Sequence, residues 1–460
     1  MTRARLDGLC LVVLGSVAFL LLGTGMANKS PAAMQDFRVV YYPARCLIQH
    51  CDPYKESEVQ RISRAEGGYR PTDTAIVRQI VTRYIYLPTA FSFTAPFAML
   101  PWGPAHVIWL MITVGSLIFA SFLIWNLGAN SAPMFSGLLI AFLLANSELI
   151  LISGNAAGIA VSFCVVAVCC FLQERFVLAG ILLLAISLAL KPHDSGLVWL
   201  YFLLAGGVYR KRALQTLLVS IALGLPGVLW VWHVSPHWMQ ELHANILAFS
   251  AHGGLTDPGP ASAGAHGLGM MVNLQAVISA FWDDPRIYNP ATYLLCAPIL
   301  LAWVFVTLRF RSSPARAWLA LAAIAALSML PVYHRQYDAK LLLLTVPACA
   351  MLWAQGGIIG WLALLVNTAA FVLIGDLTWA IRLDLISKLQ LPTTGFSGQI
   401  LTALQVFPAP LILLVMGIFY LWVYMRRSVP DAADDTAWTI SAQSASRLKP
   451  DSNHLPDVSP

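Results

Sequence analysis

The sequence predicts an all-α polytopic integral membrane protein, and three observations predict it. Hydrophobic residues make up 58% of the 460 and charged ones only 11%, against about 45–50% apolar and about 25% charged in a soluble domain. Mean hydropathy is +0.71. The apolar residues gather in runs close to the ~20 residues that a helix needs to cross a hydrocarbon core. This composition leaves too little charge to coat a soluble exterior, and it excludes disordered, collagen-like and coiled-coil chains.

The first span runs over about 8–27, after Arg3, Arg5 and Asp7. A signal peptide ending near Gly25-Met26-Ala27 is the alternative reading, and the length of the run favours a retained anchor. A polar stretch, 28–83, follows and is expected to carry short amphipathic helices. The next segment, 84–102, is apolar but interrupted by Pro88, Pro96 and Pro101, which suits a re-entrant or interfacial element. Further spans fall at about 105–127, 134–152, 155–173, 176–190, 195–209, 213–233, 290–308, 315–331, 339–354, 357–375 and 400–425. The total is about twelve, and the short pair 176–190 and 195–209 sets the range at eleven to thirteen. One transmembrane domain therefore covers 1–427, with loops at 28–104 and 234–289, and a polar tail, 428–460, is expected to be cytoplasmic and disordered.

An N-terminus inside puts the tight basic clusters on one side: Arg3/Arg5, Glu174-Arg175, Arg210-Lys211-Arg212, Arg309/Arg311/Arg316 and Arg426-Arg427. The formal charge of +6 thus orients the chain in the bilayer and does not imply nucleic acid. The loops 28–83, 234–289, 333–338 and 376–399 fall on the extracytoplasmic side, where the chemistry is expected. Six of the eight cysteines lie in apolar runs; Cys46 and Cys51 share a polar loop. Those two form a bridge in an oxidising compartment or remain free thiols in a reducing one. His233, His237 and His243 complete no ligand set, so neither a metal nor a cofactor is expected.

Ionisable groups near a bilayer are functional candidates by default. Asp36 follows the first span among aromatics, in Gln35-Asp36-Phe37-Arg38, as a general base or a helix N-cap would. Asp52-Pro53-Tyr54 has the grammar of a turn. Lys191 ends an apolar run before Pro192, where a lysine binds a lipid phosphate or snorkels to the headgroups. In His334-Arg335-Gln336-Tyr337-Asp338-Ala339-Lys340, Arg335 has the planar fork that takes phosphate and His334 is a proton donor or neutral partner. The bland alternative is an ion pair of Asp338 with Arg335 or Lys340. Glu148 lies inside an apolar span and is expected to face the bundle interior.

These residues form an ordered series. Asp36-Phe37-Arg38-Val39-Val40-Tyr41-Tyr42-Pro43-Ala44-Arg45 is followed by Asp52-Pro53-Tyr54, Tyr86-Leu87-Pro88, Ser153-Gly154-Asn155, Leu190-Lys191-Pro192 and His334-x-x-Tyr337. The series resembles glycosyltransferase family 87, a branch of the GT-C superfamily that includes mycobacterial phosphatidylinositol mannoside mannosyltransferases. The likeness extends over about 30–350. It departs from the family at His50-Cys51, where glycine is usual, and at Gly154-Asn155, a shortened form of a Gly-Gln-x-Asn pattern. The resemblance implies a GT-C-type bundle with its catalytic acid in the first extracytoplasmic loop, the position of Asp36. It also implies a polyprenyl-phosphate-linked sugar donor (mannose, another hexose or arabinofuranose) and a glycan or glycolipid acceptor, with transfer by inversion.

On that expectation Asp36 is the base, and Lys191, Arg335 and His334 hold the donor phosphate. Tyr41, Asp52, Asn155 and Tyr337, which stand in the matching motifs, are further candidate substrate contacts. Trp102, Tyr84 and Tyr86 are expected to line the approach from the lipid. A lipid-phosphate leaving group needs no divalent metal. Two rivals are weighed against this reading: a transporter or flippase, which expects ionisable groups near the midplane and broken helices in related halves, and an O-antigen polymerase or ligase, which expects its chemistry on a large late loop.

Overall fold

The computed structural model describes residues 2–30, 33–68, 73–259, 271–310, 313–389 and 395–426; the tail 428–460 lies outside them. Within the described residues the regular structure is helical, with one isolated β-bridge, Met271 to Arg335.

The first helix, α1 (Arg3–Lys29), is capped by Thr2 and is apolar along most of its length. Three amphipathic helices follow, α2 (Gln35–Ile48), α3 (Glu56–Ala65) and α4 (Ala75–Thr82). Their buried face is aromatic: Phe37 stacks on Trp109 with centroids 4.8 Å apart, and Tyr42 stacks on Trp102 at 5.9 Å. Their polar residues are tied inward. Arg38 is buried in a bidentate pair with Asp73, at 2.8 and 3.2 Å, and Arg45 joins Glu66 at 2.6 Å. Cys46 and Cys51 form a disulfide at the end of α2. The proline-broken segment becomes a 3-10 turn, Pro88–Ala90, and the short α5 (Phe91–Ala98).

The bundle proper begins with α6 (Trp102–Gly128). The span expected at 134–152 is broken into α7 (Pro133–Ala145) and α8 (Glu148–Ser153). Asn146 and Ser147 leave the helical region, at φ/ψ −118/39 and −122/21, and buried charges capture the freed backbone groups. Lys340 Nζ donates to the Asn146 carbonyl at 2.8 Å, and Asp376 accepts from Leu149 N at 2.8 Å. Four helices then follow: α9 (Ala157–Leu172), α10 (Val177–Leu190), α11 (Pro192–Ala205) and α12 (Gly207–Val234). One residue, Lys191, joins α10 to α11, because Pro192 occupies the first position of the new helix and cannot donate to the old one.

The loop region between α12 and the later bundle holds α13 (Trp238–Ser250) and α14 (Leu274–Ser279). The remaining helices are α15 (Pro285–Arg309), α16 (Pro314–Leu327), α17 (Thr345–Ala354), α18 (Gly357–Ile374), α19 (Asp376–Leu389), α20 (Gly395–Val406) and α21 (Pro408–Arg426). A 3-10 stretch, Asp338–Leu344, leads into α17. The chain is thus an all-α protein of membrane type. Among the described residues, seven segments are long and apolar enough to cross a bilayer: α1, α6, α7 with α8, α12, α15, α18 and α21. The spans expected at 155–173, 176–190, 195–209, 315–331 and 339–354 correspond to helices of 16, 14, 14, 14 and 10 residues. At 1.5 Å per residue these reach only about 15–24 Å.

Helix α1 packs against α7 backbone to backbone. A Cβ on Gly8 would stand 2.5 Å from the Pro133 carbonyl oxygen, and one on Gly15 would stand 2.5 Å from the Ala141 Cα. Only glycine permits that approach, as at small-residue seams between membrane helices.

Candidate functional site

A cavity of about 360 Å³ lies where the amphipathic helices meet the ends of the bundle helices. Its walls come from separate stretches of chain: Gln35, Asp36 and Val39 of α2, Ile80, Arg83 and 85–87, Asn155, Leu190 to His193, Ile246 and Phe249 of α13, and Tyr333, Arg335 and Tyr337.

The position of Asp36 follows from the joint after α8. Gly154 closes α8 with φ +66°, and a Cβ there would press on Met34 and Phe37. Nearby, Met34 N donates to the Ile152 carbonyl at 2.7 Å, and Trp109 Nε1 donates to the Gly154 carbonyl at 2.8 Å. The start of α2 is therefore fixed against Asn155. Asn155 Oδ1 accepts from Ala157 N at 2.8 Å, which aims its Nδ2 at Asp36 Oδ2, also at 2.8 Å. Asp36 is the second residue of α2, whose N-cap position is held by Met34, so the N-cap alternative does not describe it. Burial pushes its pKa above the ordinary carboxylate range, against the opposing pull of the Asn155 bond and of Arg335, Ser153 and Lys191.

Arg335 is held by its backbone. Asp338 Oδ2 accepts from Arg335 N at 2.8 Å, and Val272 N donates to the His334 carbonyl at 3.0 Å. Its guanidinium carbon stands 5.7 Å from the Tyr333 ring centroid. Among the described residues no carboxylate lies within ion-pair distance of Arg335. The other two cations on the wall are engaged. Arg83 Nε pairs with Glu56 at 2.8 Å. Lys191 is bonded to Asp338, lies 3.3 Å from Asp194 Oδ2 and stands 4.9 Å from the Tyr337 ring. Asp338 therefore pairs with Lys191 rather than with Arg335 or Lys340, and Lys340 instead faces Asp376 at 3.6 Å.

Of the residues expected to meet substrate, Asp36, Lys191, Arg335, Asn155 and Tyr337 share this cavity. His334, Tyr41 and Asp52 do not line it. Tyr41 is buried and its hydroxyl donates to the Leu100 carbonyl at 2.8 Å. Asp52 makes a turn, accepting from Tyr54 N at 2.9 Å and from Ser235 Oγ at 2.6 Å. His334 lies behind the wall: Nδ1 is 3.1 Å from the Val332 carbonyl oxygen, and Nε2 is 3.7 Å from Asp194 Oδ1. Tyr86 lines the cavity, whereas Tyr84 is fully buried beneath it. Trp102 belongs to the aromatic stack on α2.

Sequence reasoning missed Arg83, His193, Tyr333 and the apolar wall from α13. Asn245 places that helix by donating to the carbonyls of Tyr54 and Tyr84 at 2.9 and 3.1 Å. The signal available was a lone asparagine in an otherwise amphipathic run. Among the described residues, three groupings bring potential metal ligands together. Cys46, Cys51 and Glu58 hold no ion while the cysteines are bridged. In the grouping of His252, Asp257 and Asp283, Asp257 already accepts from Gly253 N, Gly259 N and Tyr288 Oη at 2.6–3.0 Å. The third is His193, Asp194 and His334, none of them among the histidines singled out from sequence as metal candidates.

No family model, no curated protein and no solved structure matches the chain.

Proposed function

We propose that the protein is a membrane glycosyltransferase of the GT-C type, similar to family 87, working at the extracytoplasmic face of a bacterial inner membrane. It moves a sugar from a polyprenyl-phosphate carrier to a hydroxyl of a glycan or glycolipid, with inversion. The observation that carries this reading is the shared cavity: a carboxylate of raised pKa, Asp36, opens on the same space as Arg335, a guanidinium without a carboxylate partner. Apolar side chains make up much of the rest of the wall, which suits a donor with a lipid tail.

In this mechanism the acceptor oxygen forms a bond to the anomeric carbon while the bond from that carbon to the phosphate oxygen breaks. The hydroxyl proton passes to Asp36, which must be ionised to receive it. The electron pair leaves on the polyprenyl phosphate, whose growing charge Arg335 meets with two parallel N–H donors. Tyr337 and Asn155 border the same space, Asn155 orienting the Asp36 carboxylate. Lys191, on the same wall but bonded to Asp338, contributes its field.

The test is the consumption of radiolabelled polyprenyl-phosphate sugars by membranes that overexpress the chain, with Asp36→Asn membranes as control. Label should move to a chloroform-insoluble or more polar lipid product only in the wild type. Equal turnover of every donor in both membranes would overturn the reading.

A second reading, transport of an anionic lipid or small anion, is favoured by one observation. Glu148, Lys340 and Asp376 cluster at the α7–α8 break, and both Glu148 carboxylate oxygens are buried without a hydrogen-bond partner. Broken helices with buried ionisable groups are typical of transporters. Substrate uptake into proteoliposomes, lost in Glu148→Gln and intact in Asp36→Asn, would favour it.

A further inference from the structure

The grouping of His193, Asp194 and His334 is not used by the transfer chemistry, yet it stands against the cavity wall. Asp194 and His334 are 3% and 1% exposed. Asp194 Oδ1 lies 3.5 Å from His193 Nε2 and 3.7 Å from His334 Nε2, and the three donor atoms all fall within 4.8 Å of one another. Neither Asp194 Oδ1 nor His334 Nε2 has a hydrogen-bond partner.

The tautomer of His334 makes this arrangement costly as it stands. A carbonyl oxygen only accepts, so the His334 Nδ1 that faces Val332 carries the ring proton. Its Nε2 then turns a lone pair toward Asp194 Oδ1 in a buried site, where the pair needs a proton or a cation between them. Charge points the same way. Asp338 offsets Lys191, and Asp194 remains as the excess buried carboxylate. Its other oxygen, Oδ2, is the one turned to Lys191, which leaves Oδ1 for the imidazoles.

We propose that His193, Asp194 and His334 bind a divalent cation of the zinc class at the rim of the cavity. Two nitrogens and one carboxylate oxygen are the donor set of an open zinc site with a fourth position free. Bonds of about 2.0–2.1 Å to a tetrahedral ion place donor atoms about 3.3 Å apart, close to the separations above. The bond from His334 Nδ1 to Val332 is the kind of outer partner that fixes a liganding imidazole. His193 belongs both to this grouping and to the cavity wall, so an ion here is reached from the cavity. The site stands whether or not the protein is a glycosyltransferase.

The experiment measures metal and not turnover. Full-length protein, purified in detergent without chelators or a histidine tag, is analysed for bound metal by mass spectrometry, then stripped and titrated with Co²⁺. The expected result is about one zinc per chain, and a visible tetrahedral Co²⁺ spectrum that excess Zn²⁺ abolishes. His193→Ala should lose both, and its half-exposed side chain makes it the ligand least needed for folding, checked by an unchanged gel-filtration profile. His193→Cys should restore binding and add a sulfur-to-cobalt charge-transfer band in the near ultraviolet. Wild-type protein that holds no metal and gives no Co²⁺ spectrum would overturn the proposal, leaving a proton shared by Asp194 and His334 as the compensation. A metal content unchanged in His193→Ala would overturn it as well.

Discussion

The Nδ2 of Asn155 donates a 2.8 Å hydrogen bond to Oδ2 of Asp36, across 119 positions of sequence. This bond favours the ionised carboxylate, against burial, which favours the neutral acid. The net result is a raised pKa, so a reaction that needs the anion should fail on the acid side at a pH above the ordinary carboxylate range. Asn155→Ala removes one stabiliser of the anion. The acid limb of kcat/KM should therefore move to still higher pH, with the plateau largely kept; an unmoved limb would separate the two residues.

Asp36→Asn should lower transfer by about 10²–10⁴-fold, the usual loss on removing a general base. Folding should not suffer. A carboxyl whose folded pKa is raised loses stability as pH climbs through its unfolded pKa toward the folded one, and the neutral amide escapes that loss. The variant should melt at or above the wild-type temperature at neutral pH, as thermal-shift measurements in detergent would report.

Arg335 and Lys191 should behave differently. Arg335→Gln removes the cation free to meet a phosphate and should reduce kcat/KM by about 10²–10³-fold, with yield preserved. Arg335→Lys keeps the charge but not the fork, and should raise the donor KM more mildly. Lys191→Gln strands the Asp338 and Asp194 carboxylates in the interior and should cost about 3–5 kcal/mol of stability, the range for a broken buried pair. It should show first as low yield and a lowered melting temperature.

That contrast marks where sequence reading reached its limit. The helical membrane class follows from composition, and Asp36 and Arg335 stand out because charge beside an apolar run is conspicuous. The partner of Lys191 is not conspicuous, since Asp338 lies 147 positions away and has in the nearer Lys340 an equally plausible mate of its own. The helices of 10–16 residues are likewise hidden. Pro192 shows a boundary, but apolar runs read as full spans whether or not the backbone continues through them. His193 and Asp194 meet His334 only because Lys191 alone joins α10 to α11 and turns the chain back toward the 330–338 segment.

The Cys46–Cys51 disulfide should stabilise the end of α2 by about 2 kcal/mol for so short a loop, on the chain-entropy account. A native bridge fits the oxidising side of the membrane. Impermeant maleimide added to intact cells should label these cysteines only after reduction, and should label a cysteine introduced at Ser57 directly. Protection of Ser57→Cys in intact cells would reverse the sidedness.

The glycine seam between α1 and α7 also has a consequence for biogenesis. Gly8 and Gly15 touch main chain that has not been synthesised when α1 first enters the bilayer. At ~5–20 residues per second, roughly 5–20 s pass between completion of α1 at Lys29 and the emergence of Pro133. Throughout that interval the groove that the α7 main chain fills stays open on the first helix. Bulkier residues at Gly8 or Gly15 should therefore leave insertion of α1 intact and arrest assembly later, when α7 arrives and finds no room to dock.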